Sequence, residues 1–382
     1  MIKILIAPDS FKHSLSSLEA ANSISTGIQR ILEEVEICLS PVADGGEGTV
    51  QALIDATDGL LEQTRVHDPL MRMITASYGI LGDGKTAVIE MASASGIELL
   101  KPEERDPLKT TTYGTGELIR DALENQCSRI ILGIGGSATI DGGAGLLAAL
   151  GVEFADQNEE ILIPSGGNLN QIHTINSDTL DPRLKDIRIR IGTDVDNPLT
   201  GKKGAAAVYG PQKGAGPKYI KKLEENLSSY ADLLEKYTGK HFHSMPGAGA
   251  AGGLAISLLA FTNARMESGF TLIAEETGLE DIIKEADLII TGEGKIDEQT
   301  AYGKTASGVA RLAKKHNKPL IAVAGAVDEG TDVLYDKGFD LILPITEGPI
   351  DLETSLREAP KLLENTGKRI GRILKLNDKF KR

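Results

Sequence analysis

Apolar, β-rich runs punctuate this chain, and six of them end in loops of glycines and carboxylates. Residues 2–7 lead into Asp9-Ser10-Phe11-Lys12, residues 37–42 into Asp44-Gly45-Gly46-Glu47-Gly48, and residues 130–134 into Gly135-Gly136-Ser137-Ala138-Thr139-Ile140-Asp141. Residues 187–191 lead into Asp194-Val195-Asp196-Asn197, residues 287–290 into Gly292-Glu293-Gly294-Lys295-Ile296-Asp297, and residues 320–323 into Gly325-Ala326-Val327-Asp328. Near the N-terminus the pattern predicts strand 3–7, helix 17–33 with Ser17 as N-cap, strand 36–41 and helix 48–57. Toward the C-terminus it predicts strand 288–291, helix 303–316, strands 319–324 and 341–343, and helix 352–374. Strands alternating with helices imply a parallel sheet. Ligands of such sheets sit beyond the carboxyl ends of the strands, where these acids and glycines lie.

The middle of the chain breaks the rhythm. Residues 73–81 and 86–91 flank Gly82-Asp83-Gly84-Lys85 and read as an antiparallel hairpin. Residues 217–237 place Ile220, Leu223, Leu227, Tyr230 and Leu234 on one face of a helix. The expected fold is therefore α/β. A Rossmann-like parallel-sheet domain is built from both chain ends, 1–65 and 281–382. A second α/β domain with a mixed sheet is inserted at 66–280, and the active site is expected in the cleft between the two.

Composition narrows the partners. The chain has 382 residues, 41% of them hydrophobic and 25% charged, as in ordinary globular domains. A net charge of −14 opposes binding to a phosphate backbone, and the scarcity of aromatics opposes base stacking, so no nucleic-acid partner is expected. Cys38 and Cys127 have no paired spacing and read as buried, reduced thiols of a cytoplasmic protein. No stretch is apolar and long enough to span a membrane. A homodimer is the assembly this reading allows.

Each motif has a competing interpretation. Gly79-Ile80-Leu81-Gly82-Asp83-Gly84-Lys85-Thr86 matches a P-loop letter for letter, but a β-like run follows where a helix is required. Residues 133–138 fit a G-x-G-x-x-A dinucleotide turn, which keeps a nicotinamide oxidoreductase open, although the polar loop continues too far before its helix. A cradle for phosphate is the favoured reading of that loop. His241 and His243 alternate as in a strand and lack a third ligand for zinc. Residues 201–216, with Lys202, Lys203 and Lys213, read equally as a mobile loop closing on phosphate or as plain surface.

In order along nearly the whole chain, Ala7-Pro8-Asp9-Ser10-Phe11-Lys12, Pro41-Val42-Ala43-Asp44-Gly45-Gly46-Glu47-Gly48-Thr49, Gly135-Gly136-Ser137-Ala138-Thr139, Asn197-Pro198-Leu199, Tyr209-Gly210-Pro211-Gln212-Lys213-Gly214-Ala215 and the segment from Gly292 to Thr300 resemble the bacterial type-1 glycerate kinase family. The resemblance implies ATP-dependent phosphorylation of D-glycerate, with 2-phosphoglycerate favoured as product and Mg²⁺ as cofactor. Three positions depart from the family pattern: Ile140 for Asn, His13 for Gly, and Ala306 for Pro.

The strand ends suggest roles in phosphoryl transfer, where a protein mostly positions groups and neutralises charge. ATP is expected on Gly135, Gly136, Ser137, Ala138 and Thr139 and on Gly292, Glu293 and Gly294. Mg²⁺ is expected on Asp44, Glu47 and Asp141. Asp9, Ser10, Lys12, His13, Asn197 and Gln299 are expected at glycerate. Asp194 is the expected general base, Asp297 its runner-up, and Lys12 and Lys304 the cations. A nicotinamide enzyme and a non-catalytic sensor of nucleotide or sugar acid are the alternatives. The loop 325–328 is the least expected contributor.

Overall fold

A computed structural model describes residues 1–43, 46, 48–298, 300 and 305–380. Asp44, Gly45, Glu47, Gln299 and Lys304, singled out by the sequence, lie outside the described residues. The strands follow the chain as β1 Ile2–Pro8, β2 Val35–Leu39, β3 Leu60–His67, β4 Met73–Ile80, β5 Thr86–Glu90, β6 Arg129–Gly133, β7 Glu153–Ala155, β8 Ile161–Leu162, β9 Thr174–Asn176, β10 Arg188–Gly192, β11 Arg265–Glu267, β12 Leu288–Ile296, β13 Leu320–Val327 and β14 Leu341–Pro344.

The chain divides into two compact units, one of Met1–Asp44 with Phe270–Arg382 and one of Gly45–Gly269. The first division falls before the sequence estimate of 65/66, because β3 pairs antiparallel with β4 along its whole length and so belongs to the insert. The second falls before 280/281, because Phe270, Ala274 and Leu279 pack into the core of the first unit.

The first unit holds a parallel sheet in the order β14-β13-β12-β1-β2. Successive residues of its inner strands point to opposite faces, and both faces are covered, so the strands are apolar throughout. Leu5, Ala7, Ile289 and Ala322 enter one core together with Val309 and Ala313 of the helix Thr305–Lys315. Ile4, Ile6, Ile290 and Val323 enter another with Ile24 and Ile28 of the helix Ser17–Gln29 and Leu363 and Ile370 of the helix Leu352–Phe380. The N-cap of the helix Ser17–Gln29 is Ser16, one residue earlier than expected. Its Oγ accepts from the Glu19 amide at 3.3 Å while Glu19 Oε2 accepts from the Ser16 amide at 2.9 Å, a capping box. Cys127 is buried, but Cys38 is exposed because β2 is an edge strand.

The second unit holds a mixed sheet in the order β11-β10-β6-β5-β4-β3, with a small sheet β8-β7-β9 beside it. The P-loop look-alike is the turn between β4 and β5, where Asp83 accepts from the Lys85 and Thr86 amides at 2.9 Å. The helix Pro217–Thr238 buries Leu223, Leu227, Tyr230 and Leu234 against the core, as its spacing predicts. His241 and His243 lie outside any strand, His243 on a turn. Among the described residues, no helix is long and apolar enough to cross a membrane.

Candidate active site

In the first unit the chain leaves β1 toward β2 on one side, and β12, β13 and β14 lie on the other. This is a doubly wound order with its switch point between β1 and β12, where such sheets open a crevice. Asp9 follows β1 directly, and its amide donates to the Gly292 carbonyl of β12 at 2.8 Å. The Asp9 carboxylate accepts from the Ser10 amide at 2.6 Å. Asp9, Ser10, Lys12 and His13 thus line one cavity with Glu293 and Gly294. Residues expected at glycerate and residues expected at ATP share this cavity.

Two features of the cavity differ from expectation. Glu293, Gly294 and Lys295 are strand rather than loop residues, because β13 carries the parallel ladder outward to the pairs Lys295–Ala326 and Ile296–Val327. The least expected segment belongs to the cavity after all: Gly325 and Ala326 line it. A side chain at Gly325 would come within 2.5 Å of the Gly294 carbonyl, so only glycine permits this approach. The two segments are also tied by Lys295 and Asp328 at 2.7 Å. His13 adopts φ +64°, in the left-handed region that favours glycine. It remains exposed at the rim, as does Lys12.

Asp297 sits just beyond β12 and accepts from the Thr300 amide at 3.1 Å, closing a turn. The side chain of Thr305, which opens the helix Thr305–Lys315, is buried, and its hydroxyl has no hydrogen-bond partner among the described residues. Thr305 lines the same cavity.

In the second unit the loop after β6 is braced from several sides. Ala138 donates to the Ser95 carbonyl at 2.9 Å, and Ile97 to the Gly136 carbonyl at 2.8 Å. Thr110 Oγ1 donates to the Ala138 carbonyl at 3.0 Å. Gly135 and Gly136 are exposed, whereas Ser137, Ala138 and Thr139 are buried. Only the two glycines therefore offer backbone to a ligand from outside. A side chain on Gly135 would lie 3.2 Å from Gly46 Cα, so two of the glycine loops touch here. Ile140 is fully buried in the hydrophobic core, which accounts for an apolar residue at that position.

Asp141 is also fully buried. Its Oδ2 accepts from the Thr112 amide at 2.7 Å, the Thr112 hydroxyl at 2.8 Å and the Gly145 amide at 3.3 Å; its Oδ1 accepts from the Gly143 amide at 3.2 Å. Burial pushes the carboxyl up, and these donors oppose it. The expectation that Asp141 binds metal gives way to a brace: both oxygens face donors of their own unit, away from solvent.

Lys213, read from the sequence as either a loop cation closing on phosphate or plain surface, is neither exposed nor mobile in its setting. Rather than waving in a mobile loop, it is 2% exposed. Its Nζ donates to Ser137 Oγ and to the Thr139 carbonyl, each at 2.7 Å. The available signal was the lysine's place in Gly210-Pro211-Gln212-Lys213-Gly214, where Gly214 takes φ +94° and turns the chain sharply.

Asp194, just past β10, is exposed, and its Oδ1 accepts from the Gly269 amide at 3.1 Å. Asn197 uses both ends of its amide internally, donating to the Lys203 carbonyl at 2.9 Å and accepting from the Tyr209 hydroxyl at 2.8 Å. It shapes its loop.

The switch-point cavity of the first unit and the exposed glycines of the second offer polar groups for anions, with carboxylates suited to a hydroxyl or a hard cation. That is the equipment of a small-molecule phosphotransferase. The chain belongs to the glycerate kinase family, whose model matches residues 4–375. It is 47% identical to the glycerate kinase of Bacillus subtilis (strain 168), with 98% of each chain covered. It is also 47% identical to the glycerate 2-kinase of Escherichia coli (strain K12), with 94% of each covered. A crystal structure of a candidate glycerate kinase 2 from Salmonella typhimurium LT2 matches with a TM-score of 0.90 and 43% identity over 99% of both chains. The protein is thus a kinase acting on an alcohol group. The nicotinamide and sensor readings fall. The turn after β6 agrees, since its helix begins only at Ala144, too late for a dinucleotide turn.

Proposed function

We propose that the protein transfers the γ-phosphate of ATP to the C2 hydroxyl of D-glycerate, giving 2-phosphoglycerate and ADP. The observation that carries this reading is the switch-point cavity, where Asp9, Ser10, Lys12 and His13 meet Glu293 and Gly294. In the reaction a bond forms between the glycerate oxygen and the γ-phosphorus, the bond from that phosphorus to the β-phosphate oxygen breaks, and the hydroxyl proton passes to a carboxylate. Asp194 is the proposed base, with Asp297 as second choice. Lys12 and Lys304 are the proposed cations for phosphate or for the glycerate carboxylate. Gly135, Gly136, Gly292 and Gly294 are the proposed backbone contacts to ATP. Gln299 is retained as a glycerate contact, and Asn197 as the residue that shapes the loop beside Asp194.

Among the described residues no three His, Cys, Asp or Glu side chains form a metal cage. Mg²⁺ is ordinarily held by one or two carboxylates together with substrate phosphates and water. Asp9 and Glu293 are the carboxylates of the cavity that would hold it, with Asp44 and Glu47 as further proposed ligands. When bound, the ion withdraws charge from the phosphate oxygens. The proposed setting is the cytoplasm, with a homodimer as the assembly to test.

The test is ADP release by the purified protein with MgATP and D-glycerate, L-glycerate or glycerol. Turnover with D-glycerate well above the other two supports the reading. No ADP above background, with a thermal shift by NADPH but none by MgATP, rejects it.

A further inference from the structure

We propose that the apolar lining of the switch-point cavity forms a nucleoside pocket, taking the purine base and ribose of the phosphate donor. The inference rests on the kinase reading and fixes where its nucleotide sits. The cavity measures about 410 Å³, within the range of pockets for drug-sized ligands, roughly 300–1,000 Å³. A three-carbon acid would leave most of it to water. Its lining is polar at Asp9, Lys12 and Glu293, and an apolar wall is supplied by Phe11, Ile345, Leu352, Leu356 and Ala359.

That wall is built rather than incidental. Phe11 and Ile345 are anchored in the core of the first unit. The Ser14 hydroxyl donates to the Leu356 carbonyl at 2.6 Å, fastening the first loop to the C-terminal helix. Leu352 stands 75% exposed at the start of that helix, an apolar side chain with little of its own unit to cover it. A flat, apolar base with polar edges suits such a wall. A glycerate molecule, carrying a carboxylate and two hydroxyls, does not.

The buried Thr305 hydroxyl supplies a second, independent sign. A polar atom this buried ordinarily has a partner, and this one has none among the described residues. It lies at the first turn of an 11-residue helix, where backbone N–H groups favour an anion. A ribose hydroxyl or a phosphate oxygen would complete it.

The test fills the pocket from the helix surface. Ser355 lines the cavity and is half-buried, so Ser355→Trp adds bulk without entering the hydrophobic core. MgATP binding is measured by calorimetry without glycerate, and KM for D-glycerate is measured at saturating ATP. Ser355→Trp should weaken MgATP by about tenfold or more and leave KM for D-glycerate within about twofold. Leu356→Ala, which removes wall without adding bulk, should weaken MgATP severalfold and serves if the tryptophan variant fails to fold. Adenosine alone should compete with MgATP on the wild type. Unchanged MgATP affinity in a folded variant, with a raised KM for D-glycerate, overturns the placement and gives the cavity to the acid. A wild-type protein that binds no MgATP overturns the kinase reading itself.

Discussion

Lys213 Nζ lies 2.7 Å from Ser137 Oγ with both side chains buried, so a buried amine sits beneath the loop proposed to meet phosphate. The same amine holds the Thr139 carbonyl. Asp141, two residues further on, is buried among amide and hydroxyl donors. The loop is therefore pinned internally at Ser137, Thr139 and Asp141, while Gly135 and Gly136 stay open. Internal bracing of this kind keeps the N–H groups of a loop preorganised, so that an anion meets them without further ordering.

Burial pushes the Lys213 ammonium down to about 7, against the pull of Asp141. The sign of the resulting linkage is fixed. Below pH 7 both folded and unfolded chains carry the proton, and the folded state bears the full cost of a buried charge. Between about 7 and the ordinary lysine value the unfolded chain binds more protons, so stability rises with pH. Relative to Lys213→Met, which cannot titrate, the wild type should gain about 2 kcal/mol between pH 7 and pH 9. Denaturant midpoints of both proteins across that range check this. Parallel curves would mean that Lys213 does not titrate there.

Asp141→Asn replaces one acceptor oxygen by an amide that must face donors. It should destabilise the protein by about 2–4 kcal/mol, the range for a buried polar network left incomplete. The Mg²⁺ dependence of the surviving activity should be unchanged. Urea unfolding together with a Mg²⁺ titration of activity measures both. A stable variant with a shifted Mg²⁺ requirement would return Asp141 to the role of metal ligand.

The parallel sheet is legible in residues 2–7 and 287–290 because strands covered on both faces must be apolar at every position. The turn nature of Gly82-Asp83-Gly84-Lys85 is legible for a similar reason, since residues 86–91 carry the composition of a strand. Which strands are neighbours is not legible locally: β1 pairs with β12 across most of the chain, and only that pairing sets Asp9 beside Gly292. The outward run of β12 through Lys295 is hidden as well, because its partner Ala326 stands in a glycine-containing segment that reads as loop. Lys213 is the hardest case, since lysine almost never lies buried unless paired. Its partners Ser137 and Thr139 are distant in sequence.

Asp194 is exposed just past β10, with its Oδ1 accepting from the Gly269 amide. Asp194→Asn keeps that acceptor and removes the proton-accepting charge. Turnover should fall by about a hundredfold or more, the usual worth of a positioned base. MgATP affinity should stay within about twofold. Steady-state rates and calorimetry on the same preparation measure the two effects, and unimpaired turnover would pass the role to Asp297.

The central claim is the transfer of phosphate from ATP to C2 of D-glycerate, and the product itself tests it most directly. After reaction with MgATP and D-glycerate, proton-coupled phosphorus NMR should show one new phosphomonoester coupled to the single proton on C2, formed in step with ADP. A signal coupled to the methylene protons on C3, or no new phosphomonoester while the protein remains folded, would contradict the account.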